Sequence, residues 1–275
     1  MIDKKHLFNK TIIRSYDIRG IYNKTLFDLD AKIIGNLFGL KVGKNQNVNI
    51  AYDGRLSSES LKNELVEGLL EVGVNVTEIG LSPTPLLYFS CIKNNAAGGI
   101  MITGSHNPKH HNGFKFVFNN MPFYGDDLIK LSEKAKGFSF KRNRGKKFKQ
   151  CFKDEYINRI FKGINLKNKY RIAWDAGNGV AGELMSKIAK KINNQNFLLF
   201  ENVDGNFPNH HPDPSNPKNL KDCINLITQE KLDLGIAFDG DGDRIGVIDD
   251  KGRVLSGDQL LLLFSYEILK KKKGA

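Results

Sequence analysis

Apolar positions along this chain fall into two alternating rhythms. VNIAY (48–52) is a short apolar run that stops at Asp53-Gly54. In SSESLKNELVEGLLEVG (57–73), Leu61, Leu65 and Leu69 recur at the spacing of one helix face, and Ser57 or Ser58 stands where an N-cap is expected. VNVTEIG (74–80) reads as the next strand, TPLLYFSCIKN (84–94) as a short helix and GGIMIT (98–103) as a buried strand. Such alternation predicts α/β layers around a largely parallel sheet.

The rhythm carries a weak internal repeat. IAYDGR (50–55), IAWDAGNG (172–179) and IAFDGDGD (236–243) each run Ile-Ala-aromatic-Asp into a glycine turn. Open α/β sheets bind ligands at the carboxyl ends of their strands. Asp and Gly are also ordinary turn residues, so at 53–55 and 175–179 a plain turn is an equal reading.

The periodicity lapses at KAKGFSFKRNRGKKFKQ (134–150), a basic stretch expected to be a solvated linker or surface hairpin at a domain boundary. Its aromatics match no RNA-recognition signature, which argues against a nucleic-acid arm.

Composition narrows the class. With 275 residues, 40% of them apolar and 18 of them Phe, the chain has material for about two domains. LLLLF (260–264) is far too short to span a membrane, and the N-terminus has no apolar signal-peptide core. Cys91, Cys151 and Cys223 are scattered and odd in number, so neither a disulfide framework nor a metal knuckle is expected, and a reducing cytoplasm is the expected location. The net charge of +12 fits either a Lys-rich composition or an anionic ligand.

The most informative segment is FDGDGDRIGVID (238–249). Asp239, Asp241 and Asp243 alternate with glycines. Hard divalent cations take oxygen ligands, and glycines let the backbone wrap an ion. An EF-hand would need Gly at loop position six, where Arg244 stands, and would need helices where strand-like runs flank the loop. The expectation is a strand–loop–strand site for Mg²⁺. Three carboxylates leave part of its shell for phosphate and water, and Arg244 stands ready beside it for the same phosphate.

TGSHNP (103–108) supplies a candidate for that phosphate. Gly104 is expected to turn the chain and expose Ser105, with His106 and Lys115 near enough in sequence to neutralise an anion. A serine alone is a weak nucleophile, and in isolation this one reads as a cap. At the N-terminus, IIRSYDIRGIYN (12–23) sets Arg14 and Arg19 around Tyr16 and Asp17, and arginine's planar fork suits phosphate.

SYDIRG (15–20), TGSHNP (103–108), NGFK (112–115), DAGNG (175–179) and DGDGDR (239–244) together resemble the α-D-phosphohexomutase family, in its phosphomannomutase/phosphoglucomutase branch. The resemblance implies two consecutive three-layer α/β domains with mixed, largely parallel sheets. Domain I would span residues 1–150, domain II 151–254, and residues 255–275 would be the first helix of a third domain. It implies that Ser105 carries a phosphoryl group and, with Asp239, Asp241 and Asp243, holds Mg²⁺. Arg19, His106 and Lys115 would be catalytic, and Tyr16, Arg19, Lys115 and Arg244 would bind substrate. The implied reaction interconverts hexose 1- and 6-phosphates through a bound hexose 1,6-bisphosphate, which also serves as activator.

The family chain is longer, and SGDQLLLLFSYEILKKKKGA (256–275) looks like only the start of its third domain. Three readings therefore stand beside one another. One is a mutase acting on mannose or glucose phosphates. The second is a truncated, turnover-inactive fragment that binds Mg²⁺ and sugar phosphate, or that takes domains III and IV from a separate chain. The third is a non-enzymatic basic nucleic-acid-binding protein. The first is preferred, with no nucleic-acid or membrane partner expected.

Overall fold

The computed structural model describes residues 1–164, 170–193 and 195–275. Its elements in chain order begin with β1 (Ile2–Lys4), β2 (Ile18–Ile21), α1 (Asp28–Val42), β3 (Asn47–Tyr52), α2 (Ser58–Glu71), β4 (Asn75–Leu81), α3 (Thr84–Lys93) and β5 (Gly98–Ile102). The chain continues through β6 (His111–Phe118), β7 (Met121–Phe123), α4 (Asp126–Lys134), β8 (Phe138–Phe140), β9 (Lys147–Lys149) and α5 (Lys153–Phe161). Then follow β10 (Ile172–Asp175), α6 (Gly182–Ile192), β11 (Phe197–Leu199), a 3-10 turn (Pro217–Leu220), α7 (Lys221–Glu230), β12 (Leu234–Phe238), β13 (Ile245–Asp249) and α8 (Gly257–Lys271).

The first sheet has seven strands in the order β2-β6-β5-β3-β4-β9, with β7 beside β6. Pairs β5/β3, β3/β4 and β4/β9 are parallel, while β6 runs antiparallel to β2, β5 and β7. One face packs against α1, α2 and α4, where Phe38, Leu61, Leu65 and Leu69 are fully buried. The other face packs against α3 and α5 through Leu86, Leu87 and Phe152. Strand β5 is buried along its whole length, as its unbroken apolar run demands.

The second sheet runs β11-β10-β12-β13, parallel except for its last pair. Alternation sorts its side chains. Ile172 and Trp174 of β10 face α6, and Ala173 between them faces α7. Gly235 lies so close under α7 that a Cβ there would sit 2.6 Å from Ile227 Cδ1. Both units are therefore three-layer α/β with mixed sheets, as expected. Among the described residues no helix is long and apolar enough to cross a membrane.

One local expectation is corrected and a second is refined. Residues 134–150 form neither a plain linker nor a hairpin, because their two strands join different partners. β8 pairs with β1 and β9 extends the first sheet beside β4. Ser57 stands at the N-cap of α2, but without a side-chain capping hydrogen bond, and Ser58 is the first helical residue. Their hydroxyls instead accept from Asn112 Nδ2 at 2.8 and 2.9 Å, tying the helix start to β6.

Helix α8 begins with a full capping box, Ser256 with Gln259. Leu260 packs inward, whereas Leu261, Leu262, Leu263 and Phe264 are exposed.

Candidate active site

The serine loop starts where β5 ends. Ser105 occupies the left-handed region at φ 50°, a conformation that costs a non-glycine residue about 1–2 kcal/mol. A dense set of hydrogen bonds imposes it. Ser105 N donates to Thr103 Oγ1 at 2.7 Å, and Thr103 Oγ1 donates to Asp53 Oδ2 at 2.8 Å. The fully buried Arg55 side chain donates to four loop carbonyls: Ser105 (2.7 Å), Asn107 (2.6 Å), Pro108 (2.6 Å) and His111 (3.0 Å). Asp53 holds Arg55 in turn through Nε at 3.1 Å. Gly104 permits close approach, since a Cβ there would lie 2.5 Å from the guanidinium carbon. The expectation that Gly104 exposes Ser105 is thus corrected: Ser105 is buried, and the loop turns it inward.

Inward means toward the turn between β12 and β13. Ser105 Oγ donates to Asp239 Oδ2 at 2.8 Å. Asp239 Oδ1 accepts from the backbone N–H of Asp243 and of Arg244, both at 3.1 Å, closing the acidic turn on itself. Lys115, on β6, donates to Asp241 Oδ2 at 2.7 Å and Asp243 Oδ2 at 2.5 Å. Thr84 Oγ1, at the start of α3, also donates to Asp241 Oδ2.

Electrostatics divides the triplet. Burial, reinforced by the charges of Asp241 and Asp243, pushes the Asp239 carboxyl well above the usual range. Burial works the same way on Asp241, but Lys115 and Thr84 outweigh it and hold that carboxyl low. Burial likewise opposes charge on Lys115, yet Asp241 and Asp243 keep its ammonium firmly protonated.

The triplet fits a metal ion. One carboxylate oxygen from each of Asp239, Asp241 and Asp243 lies within 4.8 Å of the others. Among the described residues Asp241 Oδ1 is buried without a hydrogen-bond partner, and an orphaned oxygen in a cluster of three carboxylates fits a cation.

Around this centre lie the other expected residues. His106 Nδ1 is 3.3 Å from Ser105 Oγ. Burial, then Arg244 and Arg19, pushes the pKa of His106 below the usual histidine value. Arg19 does not touch the serine; its Nη1 donates to Asn107 Oδ1 at 2.9 Å and its other amine pairs with Asp17. An open cavity of about 790 Å³ begins there, lined among others by Arg14, Tyr16, Arg19, Lys115 and Arg244. Tyr16 is exposed at its rim, its ring centroid 5.8 Å from that of Tyr124. The expected residues thus form one inner cluster (Ser105, His106, Lys115 and the three carboxylates) and an outer rim (Tyr16, Arg19, Arg244).

Sequence reading missed the residues that hold this cluster. Arg55 reads in sequence as part of a turn, although an arginine soon after a strand-ending Asp is a usable signal. Thr84 carried none. His211 Nε2 donates to His106 O at 2.5 Å, bringing the second unit onto the serine loop. His210 presents Nδ1 to His211 O at 3.0 Å and Nε2 to the buried Asp175 at 3.0 Å, so both nitrogens face acceptors. That contact gives DAGNG (175–179) a structural task beyond turning the chain.

Two α/β units that share one polar cleft, one supplying a serine loop and the other an acidic turn, define the class of protein. Two family profiles match it, phosphoglucomutase/phosphomannomutase alpha/beta/alpha domain I over residues 10–142 and domain II over residues 154–252. The chain belongs to the phosphoglucomutase/phosphomannomutase family. It is 40% identical to a phosphoglucomutase of Neisseria meningitidis serogroup B, over 97% of this chain and 59% of that protein. It is also 40% identical to a phosphomannomutase/phosphoglucomutase of Pseudomonas syringae pv. tomato, over 96% of this chain and 57% of that one. A crystal structure of a family protein from Burkholderia thailandensis superposes with a TM-score of 0.91 at 38% identity, covering 98% of this chain and 61% of that chain. The chain thus spans a little under three fifths of the length of these curated relatives.

Proposed function

We propose that this chain carries the phosphoryl-transfer centre of a hexose-phosphate mutase, with Ser105 as the residue that holds the phosphoryl group between its two transfers. The observation that supports this most is the placement of Ser105 Oγ, 2.8 Å from Asp239 and beside a carboxylate triplet with an orphaned oxygen.

The ion is Mg²⁺ on this reading, because the donors are all hard oxygens and three carboxylates leave part of its shell for a phosphate on Ser105 and for water. Asp239, Asp241, Asp243 and a Ser105 phosphate oxygen would hold it. When bound it would offset negative charge on the moving phosphoryl group. The chain's own residues supply the rest. Ser105 Oγ attacks phosphorus of a hexose 1,6-bisphosphate as the bond from phosphorus to the sugar oxygen breaks, and the serine proton ends on the departing sugar oxygen. Lys115, held charged, stabilises the equatorial oxygens and the leaving oxygen. His106 supports Ser105 Oγ through Nδ1. Arg19, Arg244 and Tyr16 face the cavity, whose size suits a hexose phosphate and whose arginines suit its charge. In the reverse transfer Ser105 returns its phosphoryl group to the other end of the sugar. On the same reading residues 1–150, 151–254 and 255–275 are domain I, domain II and the opening helix of a further domain.

Intact mass after incubation of the folded, unphosphorylated chain with Mg²⁺ and glucose 1,6-bisphosphate tests this. One added phosphoryl group in the native chain and none in Ser105→Ala is the expected result. No addition to the native chain would count against the assignment of Ser105.

A further inference from the structure

Thr84 lies far from the acidic turn in sequence, and the fold seats it directly on it. Its side chain is fully buried at the first position of α3. Three contacts join this spot to the turn. Thr84 Oγ1 donates to Asp241 Oδ2 at 2.5 Å, and Thr84 N donates to Asp241 O at 2.9 Å. A Cβ on Gly242, which sits at φ 69°, would meet Pro83 Cβ at 3.1 Å, so the turn is pressed against the helix start. The helix's positive end also faces the carboxylate.

The consequence lies in how the two oxygens of Asp241 differ. Oδ2 receives both side-chain donors, Thr84 and Lys115. Oδ1 is buried and receives none among the described residues. The two oxygens are chemically equivalent, so what matters is the plane of the carboxylate: a partial rotation would swing its free oxygen away, and nothing in Asp241 itself prevents one. Lys115 is a poor lock, because its ammonium is shared with Asp243 on a flexible stem. Thr84 is a good one: its hydroxyl is rigidly mounted on a β-branched side chain whose own N–H is fixed to the same residue.

We propose that Thr84 is a positioning residue for the metal site, fixing the plane of the Asp241 carboxylate so that the oxygen it does not occupy is held ready for the ion. This rests on the triplet being a metal centre. Thr84 reaches the ion only through Asp241, across the boundary between the two α/β units, and so couples their docking to metal affinity. Outer partners of ligating carboxylates are typically worth a 10–100-fold change in affinity.

The test titrates the 275-residue chain with Mn²⁺ alone, followed by electron paramagnetic resonance of the free ion, with no substrate present. The native chain is compared with Thr84→Val, Thr84→Ser and Asp241→Asn, and urea unfolding without metal is recorded for each. Thr84→Val should weaken Mn²⁺ binding about tenfold, Thr84→Ser should restore it, and Asp241→Asn should weaken it further. A Thr84→Val chain that is destabilised yet binds Mn²⁺ like the native chain would overturn the proposal and leave Thr84 as a packing residue. If Thr84→Val does not fold, Thr84→Ser and Thr84→Ala carry the comparison, and equal affinities there would overturn it as well. A native chain that fails to bind Mn²⁺ would instead remove the metal centre itself, and this inference with it. Phosphorylation of Ser105 with the bisphosphate reports separately on the proposed reaction.

Discussion

Ser105 Oγ donates a hydrogen bond of 2.8 Å to Asp239 Oδ2 across 134 residues of sequence, from one α/β unit to the other. Each partner is placed by its own unit, and the docking of the two units brings them together. The serine is turned inward by Arg55 and Thr103, and the carboxylate is aimed by the tight turn after β12.

The left-handed backbone at Ser105 gives a stability prediction independent of chemistry. Ser105→Gly and Ser105→Ala both remove the hydroxyl, but only glycine adopts φ 50° without strain. Ser105→Gly is expected to be about 1 kcal/mol more stable than Ser105→Ala by urea unfolding, with neither accepting a phosphoryl group. Equal stabilities would mean that the loop does not hold this conformation in solution.

Arg55 should be among the costliest side chains to remove. Arg55→Met strands the buried Asp53 carboxylate and four carbonyls, and breaking a buried pair typically costs about 3–5 kcal/mol. Arg55→Lys should rescue little of this, because an ammonium cannot reproduce the planar fork. Chemical denaturation measures both, and phosphoryl acceptance should fall in each variant along with the loop geometry. A stable, phosphorylatable Arg55→Met would contradict the role given to this residue.

The His210–Asp175 pair predicts a pH dependence. Burial opposes charge on His210, but the hydrogen bond and charge of Asp175 outweigh it, so the folded-state pKa lies above the unfolded one. A raised histidine pKa contributes stability that is fully present below the unfolded value, about 6.5, and is lost as pH rises through the folded value. The stability difference between the native chain and His210→Asn should therefore be largest near pH 6 or below and shrink above it. Urea midpoints for both proteins, measured across that interval, provide the check, and a difference that grew with pH would be the wrong sign.

Lys115→Met should slow phosphoryl transfer to Ser105 by about 100-fold or more, the usual scale for losing a positioned charge at such a centre. Rapid-quench mass spectrometry would read it directly. The same substitution leaves Asp241 and Asp243 without their shared ammonium, so the metal-free chain should also lose stability. A native transfer rate would place Lys115 outside the reaction.

Helix α8 offers a contrast between its faces. Leu262 is 72% exposed and Phe264 51%, so Leu262→Glu with Phe264→Glu should change stability by less than about 0.5 kcal/mol. Leu260→Ala, on the inward side, should cost distinctly more. A large loss in the double variant would show that the outer face is covered in solution.

Much of the architecture was legible in the chain itself. The four-residue recurrence of Leu61, Leu65 and Leu69 marks one buried face of α2, and the unbroken apolar run at 98–102 marks a strand covered on both sides. These signals are local, because burial acts on each position through its own spacing. The chemistry of the acidic triplet was local too, since three carboxylates two residues apart are unfavourable without a cation. The repeat at Asp53, Asp175 and Asp239 was visible, but its meaning was not. All three end a strand, yet one holds Arg55 and the serine loop, one holds His210, and one faces Ser105. Only tertiary structure separates them: Asp53 and Asp175 each meet a side chain of their own unit, whereas Asp239 meets a serine brought by the other. The same holds for residues 147–149, whose basic side chains mask a parallel edge strand defined by β4 alone, and for Thr84, an ordinary helix-start residue until the second unit docks Asp241 against it. Spacing along a chain reports which face is buried; hydrogen bonds between distant loops depend on how two such faces meet.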